Sequence, residues 1–259
     1  MLFENPIEIQ GKALFVSDAH LRTPEDADSW QRETQLIQLL ESHRGDLQHF
    51  FLLGDIFDFW FEYHDVAPKG YFRLFNLLYE LNQAGTGIYF FTGNHDMWVQ
   101  DFFTKQLGCK VFYRQQAFVL NGKRCLIGHG DGLGGKQRKY KFIKKVFGYK
   151  PNRIMYSMLH PRQAFAIARH FSSSSRASHK PEVFNFKNEE EFQVQYARQI
   201  LEHEHVDFFI YAHRHIPVKY PLSESSCLYN TGDWLTHFTY LIYNENDDRP
   251  VIHEYGKGE

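Results

Sequence analysis

Residues 50–60 read FFLLGDIFDFW, an apolar run followed by a glycine and two acidic residues. The run 50–53 is short, aromatic and aliphatic, as is typical of a strand that is buried on both faces. Gly54 lets the backbone approach its neighbours closely, and Asp55 and Asp58 come soon after it. Because groups at the carboxyl ends of strands meet at one edge of an open α/β sheet, this stretch predicts a polar site there.

Four other apolar runs end in residues that offer oxygen or imidazole nitrogen as metal ligands. The run 13–16 is followed by Asp18 and His20, and the run 88–91 by Asn94 and His95. The run 125–127 is followed by His129, and the run 208–211 by His213 and His215. In an extended chain alternate side chains point the same way, so both members of a D-x-H or H-x-H pair can reach one metal ion. Five such motifs in succession predict a metal site at the edge of the sheet.

The remaining patterns indicate a layered α/β fold. Further strands are predicted at 117–120, 228–230 and 240–243, and helices at 29–42, 71–82 and 186–204. Strands and helices alternate early in the chain, whereas no helical pattern separates the last strands, which we expect to form hairpins on a mixed or second sheet. The 259 residues are enough for one large domain, which we expect over 1–259.

The formal net charge of −2 conceals an uneven distribution of charge. Residues 131–180 contain 12 Lys and Arg and one acidic residue, Asp131, which leaves 17 basic and 30 acidic residues in the rest of the chain. Aromatic and aliphatic residues at helical spacing are interleaved with these basic residues. We therefore expect a basic, amphipathic helical insertion, residues 132–182, that forms a cap on the domain.

Membrane-spanning and secreted proteins are disfavoured by the sequence. It contains no run of about 18 apolar residues, and its N-terminus lacks the basic start and apolar stretch of a secretory signal. Cys109, Cys125 and Cys227 are odd in number and have no C-x-x-C spacing, which favours reduced thiols over a disulfide framework. We expect a cytoplasmic protein whose basic insertion can contact the cytoplasmic face of the inner membrane.

The order of the five motifs resembles that of the calcineurin-like metallophosphoesterase superfamily. D-x-H, G-D-x-x-D, G-N-H-D, G-H-G-D and H-x-H occur in that order, and the resemblance covers about residues 12–243. It implies two sandwiched sheets flanked by helices, with a dinuclear metal centre at their carboxyl-end edge. It also implies hydrolysis of a phosphoester by a hydroxide that two divalent ions generate from a bridging water.

The resemblance implies a role for each member of the motifs. The implied ligands of the first metal are Asp18, His20 and His215, those of the second are Asn94, His129 and His213, and Asp55 bridges the two. His95 would contact the phosphate or its leaving oxygen, and Asp58 would orient His95. Carboxylate, amide and imidazole ligands suit Mn²⁺, with Fe or Zn²⁺ as alternatives. We expect Asp96 to support this site by capping the backbone.

Within the superfamily, further details resemble the UDP-2,3-diacylglucosamine hydrolases of lipid A synthesis. These details are residues 54–61 (GDIFDFWF), a tyrosine nine residues after G-H-G-D, the helical insertion and the late Gly-Asp-Trp at 232–234. Such enzymes split the pyrophosphate of a UDP-linked diacylated sugar, which gives UMP and an acylated sugar 1-phosphate. The resemblance implies a nucleotide-linked glycolipid as partner, with Asn94 and His95 at its phosphate. The composition of the insertion makes Arg176 and Lys180, with Ser174 or Ser175, candidates for binding the phosphate-bearing end, and Tyr140 a candidate for the apolar wall.

Several positions depart from that narrower pattern. His95 stands where an arginine is usual in that group, Ala212 replaces a glycine, and Arg214 is bulky for the middle of the last motif. Lys136 and Gln137 occupy positions where acidic residues are expected. Since histidine is the ordinary superfamily choice at the position of His95, the phosphoester chemistry is unaffected. The departures indicate a divergent branch, or a paralogue with another nucleotide-linked substrate.

Two alternatives stay open at the level of the sequence. A phosphodiesterase, nuclease or nucleotide phosphatase on the same scaffold would also have a basic, aromatic insertion. Nucleic acid is less favoured as a partner, because the positive charge is confined to the insertion of an acidic body. A non-catalytic binding module is least favoured, because all seven ligand-type residues and His95 are present.

Overall fold

Two six-stranded sheets face each other across a shared core in the computed structural model, which describes residues 1–22, 26–134, 146, 148–167 and 185–257. The strands are β1 (Ile7–Ile9), β2 (Ala13–Val16), β3 (His49–Leu52), β4 (Gly87–Phe91), β5 (Lys110–Phe112), β6 (Gln116–Leu120), β7 (Lys123–Ile127), β8 (Phe208–Tyr211), β9 (Pro217–Pro221), β10 (Cys227–Thr231), β11 (Thr239–Tyr243) and β12 (Val251–Glu254). The helices are α1 (Ala27–Ser42), α2 (Phe72–Gln83), α3 (Phe102–Leu107), α4 (Lys150–Ser157) and α5 (Phe192–Leu201). Residues 161–167 are also helical.

The first sheet has the strand order β12-β11-β2-β3-β4-β5 and is parallel from β2 to β5. Phe15 lies opposite Phe51, and Phe51 lies opposite Tyr89. The rings of these residues stack, with centroids 4.4 Å apart in the first pair and 4.5 Å apart in the second. This row of aromatic rings helps to fix the register of the three strands that lead into predicted metal-binding loops.

The second sheet has the strand order β1-β6-β7-β8-β10-β9. Strands β7, β8 and β10 are parallel to one another, whereas β6 and β9 run antiparallel to their neighbours β7 and β10. The carboxyl ends of β7, β8 and β10 therefore lie at one edge, as do those of β2, β3 and β4 in the first sheet. The two-sheet α/β fold flanked by helices is confirmed.

Residues of β3 and the position after it point alternately into two hydrophobic cores. Phe51 and Leu53 lie in the core between the sheets, whereas Phe50 and Leu52 lie in the core that α1, α2 and α3 cover. This alternation is the geometry of a strand. Because both faces are buried, the run 50–53 contains no polar residue. A third core lies between the second sheet and α5, where Val194 is buried.

The helix α1 illustrates how the outer layer attaches to the first sheet. Asp26 caps its first turn, where the side chain accepts a hydrogen bond from the Ser29 N–H at 2.9 Å. Leu36, Leu39 and Leu40 are buried on one side of the helix, at the three- and four-residue spacing of an apolar stripe. The N-terminal half of α1 lies against the loop that follows β2, where Arg32 contacts the carbonyls of Ala19 and His20.

All eight strands predicted from apolar runs are present, with ends that differ by at most two residues. The helix predicted at 186–204 is shorter than expected, because α5 begins only at Phe192. Before it, Asn188 adopts a φ of 52° at the start of a 3₁₀ turn, and Glu191 is extended with a ψ of 128°. No pattern in the sequence predicted β1, β5, β9, β12 or α3. The last strands form the expected hairpins, β9 with β10 on the mixed second sheet and β11 with β12 on the first.

Much of the predicted insertion 132–182 lies outside the described residues. Its described part includes α4 and residues 161–167, which are helical as expected. The cap and the extent of the single domain stay predictions. Among the residues described, none of the helices has the length and apolar character that crossing a membrane requires.

Candidate metal centre

The motif residues that follow β2, β3, β4, β7 and β8 come together at one edge of the molecule. Within the described part of the chain, three clusters of His and Asp side chains have potential ligand atoms within 4.8 Å of one another. They are Asp18 with His20 and His215, His20 with Asp55 and His95, and Asp55 with His129 and His213. Because the middle cluster shares a residue with each of the other two, the three form one array. The structure thus brings together six of the seven predicted ligands, with His95 beside them.

Most of these residues adopt a left-handed backbone conformation, with a positive φ, that residues other than glycine usually avoid. The values of φ are 48° for Asp18, 42° for His20, 52° for Asp55, 70° for His213 and 56° for His215. Such conformations cost about 1–3 kcal/mol each and persist only where the surrounding structure enforces them. Their concentration in these loops indicates a functional site.

Main-chain contacts between neighbouring loops enforce this geometry. The N–H groups of Asp18 and His20 donate to the carbonyls of Gly54 and Asp55, both at 3.0 Å. Gly54 has a φ of 88°, and a Cβ atom there would lie 2.6 Å from the main-chain nitrogen of Gly93. Since real Cβ atoms do not approach backbone so closely, the two loops can touch only because both positions are glycine.

Asp55 lies at the centre of the array. Its Oδ1 accepts a hydrogen bond from the His95 N–H at 2.8 Å. Its Oδ2 lies 3.4 Å from His129 Nε2 and 4.0 Å from His20 Nε2. The carboxylate therefore faces both outer clusters, which is the position that a bridging ligand would need.

The charges of the protein groups are arranged around Asp55. Burial alone would raise the pKa of this carboxyl, but His129, His95 and His20 outweigh burial and hold the pKa well below its usual value. Burial would lower the pKa of His129, but Asp55 raises it to about 10. Burial, and then the positive charge of His129, lower the pKa of His213 to about 3. Without metal, Asp55 therefore favours the protonated form of His129, and burial with His129 favours the neutral form of His213.

Several buried atoms of the array fit a cation. Asp18 Oδ1, Asn94 Oδ1 and His129 Nε2 have no hydrogen-bond partner among the described residues. Buried polar atoms in this condition are costly unless a ligand satisfies them. Two of these atoms are oxygens and one is an imidazole nitrogen, which together suit a divalent ion. Asn94, the seventh predicted ligand, thus has an amide oxygen suited to its expected role.

His95 is half-buried beside the predicted ligands. Its Nδ1 lies 2.8 Å from the main-chain carbonyl of Asp58, and its ring packs edge-on against His20 at a centroid distance of 4.7 Å. The carboxylate Oδ1 of Asp58 lies 3.8 Å from His20 Nδ1. Asp58 therefore contacts His95 through its main-chain carbonyl, where the resemblance implied the carboxylate.

Two buried side chains support the ligand loops from behind. Asp96 accepts hydrogen bonds from the N–H groups of Gly93 at 2.6 Å and Ile56 at 2.9 Å, which confirms its expected backbone-capping role. Burial, with Asp55 nearby, raises the pKa of Asp96 to about 7. Arg32 of α1 donates to the carbonyls of Ala19 and His20, both at 3.2 Å. Arg32 could not be predicted from the sequence, because an arginine within a helical pattern is usually a solvated residue.

On the other side of the array, Gln193 of α5 ties two ligand loops together. Its Nε2 donates to the carbonyl of Ala212 at 2.9 Å and lies 3.4 Å from that of Gly130. Its Oε1 accepts a hydrogen bond from Asn230 Nδ2 at 3.1 Å. The predicted substrate contacts Tyr140, Ser175, Arg176 and Lys180 lie outside the described residues.

The fold and this array define a class of protein, and comparison with known sequences gives the same class. The sequence model of the calcineurin-like phosphoesterase family matches residues 11–217. The chain therefore belongs to the calcineurin-like phosphoesterase family and is a hydrolase. Divalent metal ions are implied by this family, and the array contains side chains that could hold them.

Curated relatives match the chain over almost its whole length. It is 32% identical to the UDP-2,3-diacylglucosamine hydrolase of Porphyromonas gingivalis over 249 residues, which are 91% of this chain and 95% of that protein. It is 25% identical to a protein of the same name from a Shewanella species over 223 residues, which are 86% and 89% of the two chains. Among solved structures, a cold-active protein-tyrosine phosphatase from a psychrophilic Shewanella aligns with a TM-score of 0.46 and 15% identity, over 97% of this chain and 80% of that one.

Proposed function

We propose that the chain hydrolyses the pyrophosphate bond of UDP-2,3-diacylglucosamine, or of a close lipid-linked nucleotide, to give UMP and an acylated sugar 1-phosphate. The observation that carries this proposal is the 32% identity to a relative of that name over nearly the full length of both proteins. The array of His and Asp side chains at one sheet edge supports the reaction type. The unpartnered buried atoms of the array support its dependence on metal.

The residues of the array would hold two divalent ions. One ion would be held by Asp18, His20 and His215, the other by Asn94, His129 and His213, with Asp55 between them. When bound, a pair of such ions neutralises phosphoryl oxygens and lowers the pKa of a bound water towards 7. The mixture of carboxylate, amide oxygen and imidazole favours Mn²⁺, with Fe and Zn²⁺ as alternatives.

His95 would act on the substrate, with Asp58 as the residue that orients it. The contact between His95 Nδ1 and the Asp58 carbonyl leaves Nε2 available for the phosphate. A protonated His95 would stabilise negative charge on the reacting phosphate and give a proton to the leaving oxygen. Asn94 would contribute its side chain to phosphate binding as well as to metal binding.

The insertion 132–182 would form the lipid side of the substrate site. Its described part contacts the loops of the array through aromatic rings, since Tyr156 stacks on Trp98 at a centroid distance of 5.4 Å. Phe165 packs edge-on against Phe59 at 5.7 Å, and Phe59 directly follows Asp58 in the chain. These contacts support a cap beside the residues to which we assign the chemistry. From the same segment, Tyr140, Ser175, Arg176 and Lys180 would contact the substrate.

The outer side of the same helices would contact the membrane surface. Ile154 is 57% exposed, Met155 66% and Met158 79%. Lysine and arginine side chains beside such an apolar surface can keep their charge in water while their stems lie on lipid. A peripheral contact with the inner membrane through 132–182 would bring the enzyme to its acylated substrate. The chain would then act as one domain, residues 1–259, with this cap.

The proposal is tested by incubating the purified chain with Mn²⁺ and UDP-2,3-diacylglucosamine and measuring UMP. We expect stoichiometric release of UMP and the acylated sugar 1-phosphate, and no release after removal of metal with a chelator. If UMP is absent while other phosphodiesters are hydrolysed, the substrate assignment is wrong.

The basic composition of 131–180 favours one alternative, a phosphodiesterase that acts on a polyanion. Binding of a polyanion weakens steeply with salt because counterions are released. Binding of acyl chains does not depend on salt in this way. The two functions are therefore separated by the Michaelis constant of the hydrolysed substrate, measured at low and at high salt. A steep rise with salt would indicate a polyanion substrate, and a small change would indicate binding through acyl chains.

A further inference from the structure

Asp233 lies outside the five motifs and beyond the residues that the family model matches, yet it is fully buried beside the array. Its Oδ2 lies 3.2 Å from Nδ1 of His215. Its Oδ1 accepts hydrogen bonds from the N–H groups of Leu235, Thr236 and His237 at 3.3, 2.8 and 2.7 Å. The backbone thus fixes one oxygen of this carboxylate and directs the other at the imidazole.

This contact determines which nitrogen of His215 faces the array. With Nδ1 directed at Asp233, Nε2 lies 3.3 Å from Asp18 Oδ1, and the ring stacks on His20 at a centroid distance of 5.2 Å. A carboxylate can only accept, so a neutral His215 must carry its proton on Nδ1. Its Nε2 then presents a lone pair to the cluster of Asp18 and His20.

The turn that carries Asp233 is also tied to the loop after β2. The main-chain N–H of Trp234 donates to the carbonyl of Ser17 at 3.1 Å. The indole Nε1 of Trp234 donates to the carbonyl of Arg32 at 3.0 Å, and Arg32 in turn holds the carbonyls of Ala19 and His20. One turn therefore positions His215 and the loop that carries its companion ligands.

The other outer cluster is supported in a different way. Nδ1 of His129 lies 2.7 Å from the main-chain carbonyl of Leu53. An ionised carboxylate polarises an imidazole more strongly than a neutral carbonyl does, and raises its strength as a ligand. His215 and His129 are therefore supported by groups of different charge, although each belongs to a cluster that contains an aspartate.

We propose that Asp233 is a positioning residue for the ion site of Asp18, His20 and His215. By holding His215 in the ligating tautomer, Asp233 would strengthen that site. This inference rests on the assignment of two ion sites under the proposed function. Loss of a hydrogen-bonded partner behind a ligating histidine lowers metal affinity by about 10–100-fold. A change at Asp233 should therefore weaken one metal-binding step and spare the other.

The test compares Asp233→Asn with the wild-type chain. The substitution keeps the size of the side chain, and the three backbone donors hold its one oxygen. The amide NH₂ then faces His215 Nδ1, which loses its acceptor. The matched control is His237→Gln, which changes the other imidazole near Asp233, 3.4 Å from Oδ1. The full-length, metal-free chains are titrated with Co²⁺, binding is followed by absorbance, and the thermal midpoint of each metal-free chain is measured.

We expect two binding steps in the wild type and in His237→Gln. In Asp233→Asn one step should be weakened by about tenfold or more, with the other step and the metal-free midpoint unchanged. Two unchanged steps in Asp233→Asn, or an equal loss in both, would overturn the positioning role while the two ion sites of the wild type stand. Failure of the wild type to bind Co²⁺ would overturn the two-ion assignment and this inference with it.

A second measurement needs no change at Asp233 and covers the case in which that variant does not fold. Wild-type chain labelled with ¹⁵N-histidine is bound to Zn²⁺, and the signal of His215 is assigned by its loss in His215→Gln. A proton on Nδ1 with zinc on Nε2 supports the inference. Zinc on Nδ1 would contradict it.

Discussion

Asp55 makes contacts that no single motif could provide. His95, His129 and His20, from the loops after three different strands, all lie within 4.0 Å of its carboxylate oxygens. At the scale of the residue, the array is therefore one electrostatic unit in which a carboxylate is held ionised by its neighbours. The roles of the individual side chains can be separated by substitutions that remove chemistry but spare metal.

His95→Ala should reduce turnover and leave metal binding unchanged. His95 is half-buried beside the predicted ligands, and we assign it a proton-transfer and charge-stabilising role, which is worth about 10²–10⁴ in rate. The measurements are kcat with the lipid substrate and metal content by atomic emission. The control is His64→Ala, since the side chain of His64 is 95% exposed. Near-native turnover of His95→Ala with bound metal would show that the assigned role is wrong.

Metal affinity should rise with pH. In the metal-free protein Asp55 raises the pKa of His129 to about 10, although burial lowers it, so this imidazole is protonated at neutral pH. An imidazole must be neutral to bind metal, so binding expels that proton and is favoured as the pH increases. His213, with a pKa lowered to about 3 by burial and by His129, has no proton to lose.

The expected slope is at least about a tenfold gain in affinity per pH unit below the pKa of His129. Calorimetric titration with Mn²⁺ between pH 6 and 8, in two buffers of different ionisation enthalpy, measures both the affinity and the protons released. An affinity that does not change with pH, with no proton released, would contradict the charge arrangement described for Asp55 and His129.

At the scale of the element, the buried strands could be predicted and the edge strands could not. Strands such as β3 are apolar on both faces, so their sequence alone distinguishes them. In contrast β9 begins and ends with proline, as edge strands can, and Val251 of β12 is 46% exposed. Their pairing is determined by neighbours that are distant in the chain, and no local pattern reports it.

The ligand loops were predictable in position but not in conformation. Their residues follow apolar runs, which places them at the strand ends. Aspartate and histidine do not by themselves favour a positive φ, so the conformations of Asp18 and His215 follow from tertiary contacts. Asp233 and Arg32 were not predictable for a similar reason. They contact His215 and the His20 carbonyl through the tertiary fold, which leaves no local pattern in the sequence.

The contact of α4 with the domain should matter for the lipid substrate alone. Tyr156 stacks on Trp98 and packs on Phe61 at a centroid distance of 4.8 Å, and such pairs contribute about 0.5–1.5 kcal/mol beyond buried area. Loss of that contact energy should lower kcat/KM of Tyr156→Ala for the acylated substrate by about 2–10-fold. Its kcat/KM for a small chromogenic phosphodiester should be unchanged. Tyr156→Phe, which keeps the ring but loses the hydrogen bond to Ala164, is the control. An equal effect of Tyr156→Ala on both substrates would argue against a substrate-binding cap.

At the scale of the whole molecule, the sheets and helices enclose apolar cores in which all three cysteines are buried and unpaired. Burial raises the pKa of Cys109 to about 12 and also raises that of Cys125, so thiolate is scarce at neutral pH. We expect no rapid reaction of the native protein with Ellman's reagent, and three reactive thiols after denaturation. Fast reaction of the native chain would show that these cores open readily.

The central claim is that loops from both sheets build one centre for two metal ions. The most direct measurement is a crystal structure of the chain with Mn²⁺, in which anomalous scattering locates the ions. We expect two peaks about 3.5–4 Å apart, with the Asp55 carboxylate between them. One should lie against Asp18, His20 and His215, and the other against Asn94, His129 and His213. A single peak, or ions bound away from Asp55, would contradict it.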